Sequence, residues 1–120
     1  MTSNIAPLTA VRIVPNLQGA ARVLTLNCQA LLGPTDAVPA PSITHASSHD
    51  LDAAMLARVA PDLVIVPLFA GDLDATMIIE RLVALGYCGR VAVLAPTLPN
   101  PRLVEQELRG LGLRVALISP

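Results

Sequence analysis

Three short apolar runs, separated by two stretches of helical period, decide what the second half of this chain can fold into. The runs are "LVIVPLF" (63–69), "RVAVLAP" (90–96) and "LRVALIS" (113–119). Each is strand-length and apolar at successive positions, as expected of a strand covered on both faces. Between the first two lies "GDLDATMIIERLVALG" (71–86), where Ala75, Ile78, Ile79, Leu82 and Leu85 share one helical face. Asp72 is placed to cap this helix and Gly86 to end it. The second spacer, "NPRLVEQELRGLG" (100–112), opens with Asn100 as N-cap and Pro101 at the first helical position, then closes on glycine. Strand, helix, strand, helix, strand with short links requires parallel crossovers and helices on the faces of the sheet.

Upstream, "SSHDLDAAMLARVA" (47–60) reads as another helix, capped by Ser47 or Ser48 and stopped by the Ala60–Pro61 step. "SITHA" (42–46) before it reads as a short strand at a sheet edge. The N-terminal third admits two readings. In one, "AVRIV" (10–14) is the first strand and "LQGAARVLTLNCQALL" (17–32) the first helix. In the other, "RVLTLN" (22–27) is the first strand and proline-rich coil leads to the next. An apolar stripe (Leu17, Ala20, Ala21, Leu24, Cys28, Leu31) beside a polar one (Gln18, Arg22, Thr25, Gln29) favours the first. "GPTDAVPAPS" (33–42) then reads as a loop and residues 1–9 as a flexible start, within a single domain over 1–120.

Composition narrows the function classes. The chain is 53% hydrophobic and 14% charged, which argues for a packed core and for apolar surface that a partner covers. All eight basic residues are arginine, scattered along a chain of net charge −1, and the only aromatic residues are Phe69 and Tyr87. Neither the basic patch nor the stacking platform that nucleic acid needs is present. No apolar stretch approaches the roughly 20 residues of a membrane span. The N-terminus lacks the pattern of a signal peptide, so a cytoplasmic location is expected. Cys28 and Cys88 form no CxxC and read as small buried hydrophobes. "HASSHD" (45–50) sets two histidines four apart beside an aspartate, but the first falls outside the helix and the ligand set is short, so no metal is expected. A dinucleotide fingerprint is missing, and a "GxxxxGK" phosphate loop is impossible without lysine. No cofactor is expected.

Alternating elements in this order look like the flavodoxin-like fold: a three-layer, doubly wound α/β domain with a parallel five-stranded sheet in the order 2-1-3-4-5. "PDLVIVPL" (61–68), "LVALGYCGRVAVLAP" (82–96) and "GLRVALISP" (112–120) more specifically resemble a response-regulator receiver domain, with the likeness closest over 47–120. Relative to a receiver, the chain stops at the end of strand 5, without a fifth helix. The resemblance implies five chemical groups at the C-terminal ends of the strands. An acid pair after strand 1 holds Mg²⁺, an aspartate after strand 3 takes the phosphoryl group, and a hydroxyl after strand 4 and a lysine after strand 5 respond to it.

This sequence places other residues there. The acid-pair position holds Pro15 and Asn16, or Asn27 and Cys28 in the alternative register. The acceptor position holds Pro67, the hydroxyl position Ala95 and the lysine position Ser119. Pro67 lacks a backbone donor and fixes φ, which suits the last residue of a strand and not its middle. The expectation is a degenerate receiver, not an enzyme. It would act as a phosphorylation-independent protein-interaction module in bacterial signalling or transcription control. Strand 5 would offer Val115 and Leu117, or Ala116 and Ile118, to a second copy or to another, unidentified protein. The alternative is a small-molecule sensor with a pocket at Pro67, Phe69, Ala95 and Thr97.

Overall fold

The computed structural model describes residues 20–28, 42–70, 73–95 and 98–118. Five parallel strands form the sheet: β1 (Arg22–Leu26), β2 (Ser42–Ala46), β3 (Leu63–Pro67), β6 (Arg90–Leu94) and β7 (Arg114–Ile118). Their spatial order is β2-β1-β3-β6-β7, which is 2-1-3-4-5 among the five. A separate antiparallel pair, β4 (Phe69–Ala70) and β5 (Leu73–Asp74), follows β3. The helices of the described residues are α1 (Ala53–Val59), α2 (Ala75–Ala84) and α3 (Pro101–Arg109), with a 3₁₀ turn at Ser48–Asp50. The expected α/β class and strand order are what the chain adopts.

The first strand lies where the alternative reading put it. Residues 22–26 are β1, so the helix expected over 17–32 is wrong in this segment, and the competing strand at 10–14 lies outside the described residues. β1 pairs with β2 on one side and β3 on the other, and Val23, Leu24, Thr25 and Leu26 are all buried. A strand inside a parallel sheet is apolar on both faces. That continuous run, sampled every third or fourth residue, also produces stripes, and it is what made the helical period persuasive.

Other boundaries move by a few residues, each for a local reason. The helix expected over 47–60 is two pieces: Ser47 caps the 3₁₀ turn through His49 N, while Asp52 caps α1 through Met55 N. Ala60 adopts φ 47°, the left-handed conformation, and the chain leaves the helix before Pro61. α2 is capped by Asp74, whose carboxylate accepts from Met77 N at 3.0 Å, and not by Asp72, which is outside the described residues. The runs expected as strands over 90–96 and 113–119 pair at 90–94 and 114–118. The edge position expected of 42–46 is that of β2.

The core lies on one face of the sheet. Leu24, Leu26, Val64, Val66, Val91, Val93 and Val115 meet Leu51 and Met55 from the α1 side, Ala75, Ile78, Ile79 and Leu82 from α2, and Leu108 from α3. The opposite face carries a smaller cluster of Ala20, Val23, Cys28, Leu63, Ile65, Ala92 and Leu94, with Ile118 against it. Two polar devices secure the strand ends and edge. Asp62 accepts from Ala21 N at 2.8 Å and from Arg22 N at 3.4 Å, pinning the start of β1 beside β3. At the outer edge of β7, Glu105 accepts from Leu117 N at 3.0 Å and Arg109 Nε donates to Val115 O at 2.9 Å. Glu105 and Arg109 also pair with each other at 3.1 Å. These two side chains of α3 thus occupy a donor and an acceptor that a neighbouring strand would use.

Candidate functional site

At the C-terminal ends of the strands, the register of β1 assigns the first receiver position to Asn27 and Cys28. The other assignment, Pro15 and Asn16, lies outside the described residues, as do Thr97 and Ser119. Asn27 sits at φ 61°, a conformation that asparagine tolerates better than most residues. Its backbone N–H donates to Ala46 O at 3.0 Å. Its side chain closes a two-point clasp on Ser48: Oδ1 accepts from Ser48 N at 2.9 Å and Nδ2 donates to Ser48 Oγ at 2.7 Å. Ser48 is buried, so the clasp satisfies polar atoms that water does not reach. Asn27 therefore ties the end of β1 to the turn after β2.

Beside it, the buried Thr25 hydroxyl lies 2.6 Å from His45 Nδ1 on β2. Cys28 is buried too, and its thiol donates to Ile65 O at 3.4 Å. Burial pushes the thiol up to about 11, against smaller opposing effects of hydrogen bonds from the Leu26 backbone and Thr25. His45 reaches the neighbourhood of Cys28 through Thr25, yet a protonated, buried thiol is not an activated nucleophile at neutral pH. His49 lies in the 3₁₀ turn, where its backbone N–H donates to Ser47 Oγ at 3.2 Å. No group of three His, Cys, Asp or Glu side chains that could hold a metal ion gathers among the described residues.

The Cys28 environment carries a pH prediction. A folded-state value raised from 9.0 to about 11 contributes stability that is full below pH 9 and is lost as pH rises through 11. The full loss amounts to about 3 kcal/mol at the thiol. Tyr87, whose Oη donates to Arg90 O at 2.7 Å, is raised in the same sense, first by burial and then by the Asp62 carboxylate, while Arg90 pulls back. Urea midpoints should fall between pH 9 and 11, and less steeply in Cys28→Ala. A profile flat over that range contradicts the assignment.

Pro67 is the last residue of β3, as its chemistry requires, and is buried. β1 stays in register with β3 only as far as Thr25↔Ile65, so the missing proline donor falls beyond the end of that ladder. The chain resumes bonding at once, with Leu68 N donating to Leu94 O at 2.8 Å. Ala95 is buried, and its N–H donates to Ile118 O at 2.9 Å. Phe69 lies in the short β4 that follows. Of the positions a receiver fills with acids, a hydroxyl and a lysine, the described ones hold an amide, a protonated thiol, a proline and an alanine.

A groove lies elsewhere, on the face of the sheet opposite the described helices. Strand alternation puts Leu63 of β3, Arg90 and Ala92 of β6, and Arg114, Ala116 and Ile118 of β7 on that side. They line a groove of about 610 Å³, walled by Arg109 and floored by apolar side chains. Ala116 is exposed and Ile118 half-buried, whereas Val115 and Leu117 face the core. Of the two pairs on strand 5, it is Ala116 and Ile118 that reach this surface. Arg90 and Arg114 are direct neighbours in the β6–β7 register, so two like charges stand side by side at one end of the groove.

Sequence reasoning missed the Asn27–Ser48 clasp, because its partners are 21 residues apart. It also passed over the Glu105–Arg109 pair, although an acid four residues before a base on a helix was there to be read. Compared with known proteins, the chain matches no family model, no curated protein and no solved structure.

Proposed function

We propose that this chain is a non-catalytic protein-interaction module of receiver-like build, working in bacterial-type signalling or transcription control without phosphorylation. The observation that carries the reading is the groove at β3, β6 and β7. Along β6 and β7 the exposed Ala116 and the half-buried Ile118 line a groove of about 610 Å³ beside Arg90 and Arg114. The positions at the strand ends support it from the other side. Asn27 and Cys28 are engaged in structural hydrogen bonds, and Pro67 and Ala95 are buried apolar residues. None of them offers the carboxylate with which a receiver holds its cation and accepts the phosphoryl group.

In the absence of another partner, a second copy is the simplest cover for the groove, giving a homodimer. Light scattering over a wide range of concentration tests this. The expected result is a mass approaching twice that of the chain, returned to the monomer by Ala116→Arg, which puts a third charge beside Arg90 and Arg114. A concentration-independent monomer counts against the homodimer. Self-association that ignores Ala116→Arg counts against the face.

A further inference from the structure

The structure assigns to Glu105 and Arg109 a function besides fastening α3 to the sheet: together they take the place of one residue of a neighbouring strand, and so keep the outer edge of β7 from pairing with a second copy of this chain. Three observations carry the inference, and none of them depends on the groove. The first is which backbone groups the pair engages. Ala95 N donates to Ile118 O at 2.9 Å, so residue 118 turns its peptide groups toward β6. Alternate residues of a parallel ladder turn the same way, so Arg114 and Ala116 also address β6 while Val115 and Leu117 address the outside. A single residue of a parallel neighbour would donate its N–H to Val115 O and accept from Leu117 N, the two groups that flank Ala116. Arg109 Nε donates to that oxygen at 2.9 Å, and Glu105 Oε2 accepts from that N–H at 3.0 Å. The 3.1 Å ion pair between Arg109 Nη2 and Glu105 Oε1 links donor to acceptor, as the chain of a neighbouring strand would.

The second is the fit between helix and strand. α3 ends at Arg109, and Gly112, at φ 110°, returns the chain as β7 with its own N–H bonded to Arg109 O. Residue 109 therefore meets 115, and residue 105 meets 117. Four residues of helix rise about 6 Å, and two residues of parallel strand advance about 6.6 Å. Helix positions four apart thus match strand positions two apart, and the spacing that forms the ion pair also reaches both backbone groups.

The third is what the edge would do unguarded. β7 is the apolar, partly β-branched run Arg114–Ile118. A two-fold axis through Ala116 sets Val115 against Leu117 of a second copy in antiparallel pairing, and each such pair exchanges two hydrogen bonds. Ala116 meets its counterpart at the close, non-hydrogen-bonded position, where a small side chain fits. Arg114 falls opposite Ile118 and not opposite another arginine, so no like charges oppose the pairing. The strand is self-complementary, and a donor and an acceptor that this pairing needs are the two that α3 has taken.

Hydrogen exchange by NMR and sedimentation of the intact chain test the assignment. In the parent, Leu117 N–H exchanges slowly although it addresses the outside of the sheet. Glu105→Ala speeds that exchange at least about tenfold, the loss of roughly one hydrogen bond. Glu105→Gln, which still presents an oxygen, keeps it slow. Glu105→Ala with Arg109→Ala doubles the mass relative to the parent at the same concentration. Adding Leu117→Pro removes the donor at an edge position, where proline is tolerated, and restores the parent's mass. Leu117 faces the core and not the groove, so the same proline in the parent leaves any pairing through the groove as it was. Urea midpoints report that the variants fold, and the exchange measurement needs only the single Glu105→Ala change.

Unchanged exchange of Leu117 in Glu105→Ala would show that the carboxylate does not hold the edge, and overturns the inference. A double variant that keeps the parent's mass shows an edge that needs no guard. A gain in mass that survives Leu117→Pro shows association through another surface. Each of these outcomes overturns the inference and leaves the groove reading standing, since that reading fails only by the response to Ala116→Arg.

Discussion

Pro67→Asp, which restores a carboxylate where a receiver carries its acceptor, should lower the unfolding free energy by about 3–5 kcal/mol and gain no phosphoryl group. Pro67 is buried at the end of β3, beside Leu94 in the register and followed by the buried Leu68. The chain contains no lysine, and the position that would share a metal with it holds Asn27, already bonded to Ser48 on both ends of its amide. The new group would stay protonated or drag the strand end toward water, and either route costs stability. Urea denaturation reads the first half of the prediction. Intact mass after incubation with acetyl phosphate and Mg²⁺ reads the second. A variant as stable as the parent that takes up a phosphoryl group would show that the chemistry is one substitution away, and would overturn the phosphorylation-independent reading.

Asn27→Ala should cost about 3 kcal/mol, more than its exposure suggests. Removing the amide leaves the buried Ser48 N–H and hydroxyl without their partner, worth about 1–3 kcal/mol. Holding alanine at φ 61° adds about 1 kcal/mol. The two contributions separate by substitution. Asn27→Gly loses the clasp but is at ease in the left-handed region, so it should cost less than alanine. Asn27→Asp tolerates that region and still accepts from Ser48 N, while the Ser48 hydroxyl can turn to donate, so it should cost least. Midpoints in the order aspartate, glycine, alanine are the expected result. Equal midpoints for glycine and alanine would remove the backbone part of the argument.

The sheet was legible wherever a run of apolar residues was bounded by turn chemistry of its own. β3 and β6 border helices capped by an aspartate, β7 follows a helix that opens on Pro101 although Asn100 makes no side-chain cap bond, and their order along the chain leaves few topologies. The start of the chain was less legible because burial on both faces erases the alternation that distinguishes a strand from a helix. Val23, Leu24, Thr25 and Leu26 are buried alike, so their spacing carried no face information. Helix starts were misplaced for a different reason. Several Ser and Asp residues stand near each start, and which one caps depends on where the preceding strand or turn releases the chain. Asp74 is the last residue of β5, and Asp52 follows the 3₁₀ turn. The receiver positions at Pro67 and Ala95 could be read because each is simply the residue after, or at the end of, an evident strand. The groove could be anticipated only as a flank of strand 5. That Arg90 and Arg114 are partners is a matter of register, which is a property of two strands and not of either sequence.

The Glu105–Arg109 clamp has a consequence for how large an assembly of this protein can grow. Joining by strand addition consumes one sheet edge on each participant, so a molecule must offer both edges to continue a row. With Leu117 N–H and Val115 C=O already bonded by their own helix, the β7 edge is not on offer. In the language of polymer chemistry the β7 end of the sheet is a chain terminator: a row extended by strand addition cannot continue past it. Any larger assembly must therefore use a surface other than the edge of β7.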